Sequence, residues 1–358
     1  MNRLPLAANR SLAPGWYPLC FYKQVGRTPR RWMLAGVPYV VYRTKAGPSV
    51  LLDRCPHRNV PLSGGQVVDD AIECPYHGWR FRSDGQCTHI PGRLEVPKAS
   101  HRVESFPSYV HQGIVFIGLN VTPESRPFYL KEQESADYQQ LVRHVTFPAS
   151  LFSVVENALD VPHTSVLHRG LFRTGVRHKV LVTLRRYSSW LEAQYTGEPA
   201  PSGWLGRMLS AGSGDELRVT HYDRFFLPGV LQVEYQLGPK AHVILTGYLK
   251  PMDDRTTELF VQVCVKTPLW RAAQWLLLLL VEPFARLISK QDVKVLRAQT
   301  ENVEQFSGSR FMSTEIDVMF AGLSRLLKDA GVADEAHWDE HRDPTQEPRE
   351  QSEFFMET

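Results

Sequence analysis

Residues 55–79 read CPHRNVPLSGGQVVDDAIECPYHGW. Cys55-Pro-His57 and Cys74-Pro-Tyr-His77 each place one thiol beside one imidazole, with sixteen residues between His57 and Cys74. Pro56, Gly64, Gly65 and Gly78 stand where a chain turns tightly around a bound group. A structural zinc ordinarily uses C-x-x-C-type knuckles, and the single residue between Cys55 and His57 fits that poorly. Working outward, the runs VPYVVYRT (37–44), SVLLDR (49–54), AIECPY (71–76) and HQGIVFIGLN (111–120) are short and β-rich. AGP, SGG and SDGQ punctuate them as turns. A small all-β domain is therefore expected over residues 1–120.

Two thiolates on one iron and two imidazoles on the other make a Rieske [2Fe–2S] centre, and two loops giving one of each supply that set. The stretch CPHRNVPLSGG…CPYHGWRF resembles the Rieske domain of the Rieske non-haem iron oxygenases. The resemblance implies Cys55, His57, Cys74 and His77 as cluster ligands. Tyr76 and Trp79 read as cover for the cluster, a pattern that ordinary core aromatics also give. Respiratory-chain Rieske proteins carry a further cysteine in each loop, forming a disulfide; these loops lack it. Cys87 lies outside the motif and reads as a plain buried thiol, and Cys20 and Cys264 as bystanders.

A domain of that kind leaves two-thirds of the chain to explain. The next informative string is Glu156-Asn157-Ala-Leu-Asp160-Val-Pro-His163-Thr-Ser-Val-Leu-His168. A helix is expected from Ser153, as N-cap, to Leu159. On a continuous helix Asn157, Asp160 and His163 share a face, whereas His168 lies about 140° from His163. Pro162 supplies the bend that both rings need to meet one metal. Two histidines and one carboxylate form the facial triad of non-haem Fe(II) oxygenases, and the string matches that family's E-N-x-x-D-x-x-H-x-x-x-x-H signature. The resemblance places the carboxylate on a helix far downstream, where Asp292 in ISKQDVKVLRAQTEN is flanked by Val293, Val295 and Leu296. An acid there needs a partner or a metal. An ion pair with Lys290 or Lys294 is the bland alternative, and Glu282 and Glu301 are weaker ligand candidates. Asp160, by resemblance, bridges a Rieske histidine of one subunit to His163 of its neighbour in a head-to-tail trimer. Asn157 is placed near the iron.

The strands RHKVLVTLRRY, LEAQYTG, RVTHYDRFFLPGVLQVEYQLG, AHVILTGYLKPM and TELFVQVCVKT suggest one large antiparallel sheet. The pattern turns helical from Leu269 to Ala330. The expected architecture is α+β: a Rieske domain (1–120), a mononuclear-iron domain with a helix-flanked antiparallel sheet (121–333), and an acidic tail (334–358). That tail has nine acidic residues against two basic ones, so loose attachment is expected. Trp275–Val281, with five leucines, reads as a buried helix too short to span a bilayer. An apolar helix at the substrate channel or against a membrane surface is the alternative.

The chain has 358 residues, 43% hydrophobic and 22% charged, values of a globular protein and not of a disordered or fibrous one. Five scattered cysteines exclude a disulfide scaffold, and MNRLPLAANRSLAPGW lacks the apolar core of a secretory signal. A cytoplasmic, reducing location is expected. Net charge is +3, yet residues 1–100 carry fourteen Lys and Arg against six Asp and Glu. Arg27, Arg30, Arg31, Arg54, Arg58, Arg80 and Arg82 are expected to receive an acidic redox partner. No GxGxxG fingerprint or plant-type ferredoxin cysteine set occurs, so NAD(P)H acts only through a separate reductase, with or without a ferredoxin. The resemblance implies a terminal oxygenase that uses O2 to hydroxylate or oxidatively demethylate a hydrophobic cyclic or aromatic small molecule, as a homotrimer. Nothing points to nucleic acid. A cis-dihydroxylating dioxygenase and a non-catalytic Rieske electron carrier are the alternatives.

Overall fold

The structure, a computed structural model, describes residues 12–169, 179–198, 219–238, 241–308, 310–330 and 348–357. The chain divides into two compact units, Met1–Pro127 and Phe128–Thr358.

The first unit is all β. Strands β1 (Gly15–Phe21), β11 (Ile114–Leu119) and β10 (Ser108–His111) form one sheet, in that order. Strands β2 (Arg30–Leu34), β3 (Val37–Thr44), β4 (Gly47–Leu52) and β9 (Ser105–Phe106) form a second. Their inward positions, among them Tyr17, Leu19, Val41, Val50, Val115 and Ile117, make one core. A small third sheet, β5 (Gln66–Val68), β6 (Ala71–Glu73), β7 (Arg80–Phe81) and β8 (Cys87–His89), is a meander whose connections carry the chemistry. Leu62, Ile72, Phe81 and Val103 pack a separate core beneath Cys55 and Cys74.

The second unit is built on an eight-stranded antiparallel sheet ordered β12-β18-β17-β16-β15-β14-β13-β19. Six central strands cover the five runs expected, the third run dividing at a turn into two: β13 (Lys179–Arg186), β14 (Trp190–Thr196), β15 (Val219–Phe226), β16 (Val230–Leu237), β17 (Ala241–Pro251) and β18 (Thr257–Lys266). The two edges were not expected. β12 (Gln139–Phe147) pairs with β18, and β19 (Glu350–Glu357) pairs with β13 from Lys179↔Glu357 to Arg186↔Glu350. The acidic C-terminal stretch is thus tied into the sheet over its last residues. Arg186 donates to Glu350 at 2.9 Å, Lys179 lies over the Phe355 ring, and Met356 is buried. Residues 334–347 of the expected tail lie outside the described residues.

Helices α1 (Leu151–Ala158), α2 (His163–Val166), α3 (Arg271–Gln305) and α4 (Phe320–Ala330) are described. The helix expected to begin on Ser153 begins three residues earlier, because Ser150 Oγ accepts the Ser153 N–H at 3.2 Å and caps it. α3 is 35 residues long and contains Pro283. The expectation of a buried leucine helix holds for one side only: Leu277 and Leu278 are buried, while Trp275, Leu276, Leu279 and Leu280 are exposed. Five consecutive leucines run more than once around a helix, and packing against the sheet covers only one side of it. α3 is long and apolar enough to cross a bilayer by length and composition, but its buried side packs on β12 and β18.

The sheet interior holds two buried cations, each answered across the ladder. Arg224 is fully buried and donates to Glu192 at 2.6 Å and to Gln232 at 2.6 Å, its neighbours on both flanking strands, and also to Glu234. Lys250 is equally buried and donates to Glu258 at 2.8 Å, its register partner. Burial works against both acids, but the ion pairs and hydrogen bonds from His242 and Arg224, and from His144 and Lys250, hold Glu234 and Glu258 down to about 2. Acids held low in the fold contribute stability above their unfolded pKa of about 4.3 that is lost as pH falls towards 2. Denaturant titrations are expected to show that loss, with Glu258→Gln flattening it. At neutral pH Arg224→Ala should cost roughly 3–5 kcal/mol by leaving carboxylates buried and uncompensated.

Candidate metal centres

The connections β4–β5 and β6–β7 are two versions of one loop. Asn59 N–H donates to Cys55 O at 2.8 Å, and Gly78 N–H donates to Cys74 O at 3.1 Å. Each cysteine N–H is in turn bound by the carbonyl one residue further on, Val60 O at 2.9 Å and Trp79 O at 2.8 Å. The residue four past each cysteine has left-handed backbone, Asn59 at φ 62° and Gly78 at φ 69°, which suits asparagine and glycine. At Gly78 a Cβ would also sit 2.9 Å from Pro91 Cγ. The first loop is anchored by buried Asp53, which accepts from Arg31 Nε at 2.6 Å, Ser63 N at 2.7 Å and Ser63 Oγ at 2.6 Å.

These loops bring the four predicted residues together. Cys55 and Cys74 are buried, whereas His57 is half-buried and His77 exposed. The His57 and His77 rings are 4.6 Å apart, and His57 stacks on Trp79 at 4.8 Å with 7° between planes. Tyr76 lies against His77 at 3.8 Å but is itself largely exposed, so Trp79 is the more effective cover. Burial pushes the Cys55 thiol up to about 11, a tendency its own loop amides oppose and the adjacent Cys74 reinforces. A thiol held that high ionises readily only against a metal. The four groups do not gather closely enough for a single ion; among the described residues only His163, His168 and Asp292 place three ligand atoms within 4.8 Å of one another. Two sulfurs beneath and two imidazoles above fit a binuclear cluster better than one zinc.

The second cluster depends on a break. The continuous bent helix expected through Pro162 is absent: α1 ends at Ala158, before the proline, and a separate turn follows. Pro162, at the start of that turn, has no N–H with which to continue the ladder of α1. Asp160 braces the turn: its Oδ2 accepts the His163 backbone N–H at 3.0 Å. Thr164 N–H then reaches Val161 O, and Ser165 N–H reaches Pro162 O, both at 3.2 Å. Asn157, Asp160 and His163 therefore do not share one helical face. Asn157 takes part through its carbonyl, which accepts Asp160 N–H at 3.3 Å.

His163 and His168 face each other with centroids 5.1 Å apart, and α3 brings Asp292 to both. Asp292 Oδ1 lies 3.1 Å from His168 Nε2 and 3.7 Å from His163 Nε2. It is buried there without a well-directed hydrogen bond. Each far nitrogen is tied back, His163 Nδ1 to Asp160 Oδ2 at 3.1 Å and His168 Nδ1 to Gln291 Oε1 at 2.9 Å. Both Nε2 lone pairs are thereby presented to one point, as metal-ligating imidazoles require. Burial pulls His168 down, but Asp292 and Gln291 outweigh it and hold the ring above its usual pKa; a site that favours a proton there favours any cation. The donor set, its convergence and its oriented tautomers fit a mononuclear iron with open coordination positions.

The weaker candidates fall elsewhere. Glu282 pairs with Arg143 and Arg286, and Glu301 is exposed. Of the arginines expected to form a docking face, Arg31, Arg80 and Arg82 are bound to Asp53, Glu73 and Asp84, while Arg27, Arg30 and Arg58 are exposed. Sequence reasoning missed Gln291 as a second contact of His168, and Glu156 as a titrating neighbour of Asp160. Glu156 lines a small pocket with Asp160, Tyr195 and Asp317. Burial, then the charges of Asp160 and Asp317, raise its carboxyl to about 7.

An acid raised in the fold contributes stability below its unfolded pKa that is lost as pH rises through about 7. Glu156→Gln is expected to remove that decline when unfolding is followed from about pH 4 up to about pH 7. Gln291→Leu should weaken iron retention roughly 10–100-fold in chelator competition, leaving the cluster's visible spectrum unchanged, with Gln291→Glu restoring most of it.

Comparison with known proteins follows the same division. Residues 15–107 match the Rieske [2Fe-2S] domain, and residues 147–330 match the vanillate O-demethylase oxygenase C-terminal domain. Cholesterol 7-desaturase nvd of Xenopus laevis is 33% identical over 212 residues, 56% of this chain and 46% of that protein. Chlorophyllide a oxygenase of Chlamydomonas reinhardtii is 32% identical over 164 residues, 45% of this chain and 25% of that one. The chain thus spans less than half the length of these two relatives. A crystal structure of dicamba monooxygenase bound to dicamba superposes with TM-score 0.74 over 90% of this chain and 98% of that one. Its 20% identity speaks to the fold alone.

Proposed function

The chain belongs to the Rieske non-haem iron oxygenases, with the vanillate O-demethylase oxygenase C-terminal domain as its catalytic half, and on that premise we propose that it is a terminal oxygenase acting by monooxygenation on a hydrophobic cyclic small molecule. The observation that carries this reading is the convergence of His163, His168 and Asp292 in a chain that also holds the paired Cys–His loops.

Cys55, His57, Cys74 and His77 hold the [2Fe–2S] cluster, and His163, His168 and Asp292 hold one iron. When bound, the two centres supply electron transfer and O2 activation. The chain's residues supply placement and protons. Asp160 fixes the His163 tautomer and, lying on the Nδ1 side, is the group through which an electron reaches that imidazole. Gln291 does the same orienting work for His168. The cluster receives electrons from a separate reductase or ferredoxin, and Arg27, Arg30 and Arg58 offer such a partner positive charge. A closed ring of three copies brings one copy's His57–His77 edge to the next copy's Asp160. Five free, buried cysteines suit a reducing cytoplasm.

The reading predicts about three iron atoms per chain, and product carrying ¹⁸O from ¹⁸O2 when a reductase and a candidate substrate are supplied. His163→Ala/His168→Ala should retain the cluster spectrum, lose about one iron and abolish product. Full product formation by that double variant overturns the assignment. So does a wild-type chain with only the cluster's iron, the outcome expected of an electron carrier.

A further inference from the structure

The first half of α3 is an apolar surface that nothing in the second unit's core accounts for. Trp275, Leu276, Leu279 and Leu280 are 51%, 58%, 51% and 47% exposed. No more than 17% of the helix's most apolar stretch is buried, the reverse of a core helix. Counted at 100° per residue, these side chains, together with Arg271, Arg286 and Lys290, fall within one arc of roughly 180°. An open groove of ≈ 560 Å³ runs beside them, lined by Gln139, Arg271, Ala272, Trp275, Leu276 and Leu279.

Charge narrows the choice of occupant. Between Pro268 and Ala298 every exposed charged side chain is cationic: Arg271, Arg286, Lys290, Lys294 and Arg297. The two acids in that stretch are turned to other work, Glu282 to Arg143 and Arg286, and Asp292 to His163 and His168. Leucines between arginines and lysines, with Trp270 and Trp275 at one end, have the composition of a helix lying in a lipid–water interface. Its opposite face, with Gln274, Leu277 and Leu278 buried, packs on β12 and β18, and an open sheet cannot follow the helix into the hydrocarbon core, so the helix lies on a membrane and does not cross it. A protein partner would need acids placed to answer Arg271, Lys290, Lys294 and Arg297, since Arg286 already meets Glu282, whereas anionic headgroups present that charge uniformly and take up leucines beneath it.

We infer that the exposed face of α3 docks the protein onto an anionic lipid bilayer, burying Trp275, Leu276, Leu279 and Leu280 among the acyl chains. This contact is independent of the oxygenase reading. If that reading also holds, a membrane-dissolved substrate is taken up by the helix that carries Asp292, about 18 Å along the axis from Leu280.

The test is flotation of the full, metal-loaded chain with vesicles of phosphatidylcholine alone or mixed with phosphatidylglycerol. Co-migration is expected with the mixed vesicles and not with phosphatidylcholine alone, falling as salt rises. Arg271→Glu/Arg286→Glu and Leu276→Asp/Leu279→Asp should each weaken it roughly tenfold or more. Both pairs are exposed, so unchanged circular dichroism and melting temperature verify the fold. Failure to float with either vesicle overturns the inference, as does flotation indifferent to salt and to both variants. It is likewise overturned if Leu276→Asp/Leu279→Asp reduces the oligomer seen by light scattering while the wild type ignores vesicles, which assigns the face to a second copy.

Discussion

One carboxylate oxygen decides whether this chain can hold a mononuclear metal. Asp160 Oδ2 accepts both the backbone N–H and the Nδ1–H of His163. The first bond braces the turn that follows α1; the second aims the ring. Were α1 continuous through this point, His163 and His168 would project about 140° apart, and no single ion could reach both. Asp292 and Gln291, adjacent on α3, complete the arrangement from a helix over 120 residues downstream. The position of α3 against β12 and β18 is therefore as much a part of the site as the histidines are.

The two ligand sets were legible because each is a short string whose spacing is its chemistry. The local geometry around them was not. Asp160 followed three residues later by His163 reads equally as one helical face or as a cap, and only packing separates the two. Gln291 carries no sequence signal of its own: a glutamine beside an aspartate is an ordinary helix-surface pair until a histidine approaches it. The serine mistaken for the cap of α1, Ser153, is in fact the donor to the true cap, Ser150.

Strand recognition failed at the sheet's edges for a physical reason. The central strands alternate or run apolar because at least one of their faces packs against the rest of the unit. β12, QQLVRHVTF, and β19, EQSEFFME, are edge strands, where charge is what keeps a sheet from pairing with another molecule. That protective composition is also what disguises them as linker and tail. In between, Arg224 and Lys250 sit inside the sheet where the register supplies each with an acid on a neighbouring strand.

α3 also has mechanical significance. Pro283 has no N–H for the carbonyl of Leu279, so the ladder of hydrogen bonds lacks a rung between the leucine segment and Asp292. An unbroken helix would act as a rigid lever, carrying any tilt of its apolar end directly to the carboxylate. With the rung missing, bending costs least near Pro283. The weakest point of the helix thus falls between the segment that carries the exposed leucines and the segment that holds Asp292 beside His163 and His168.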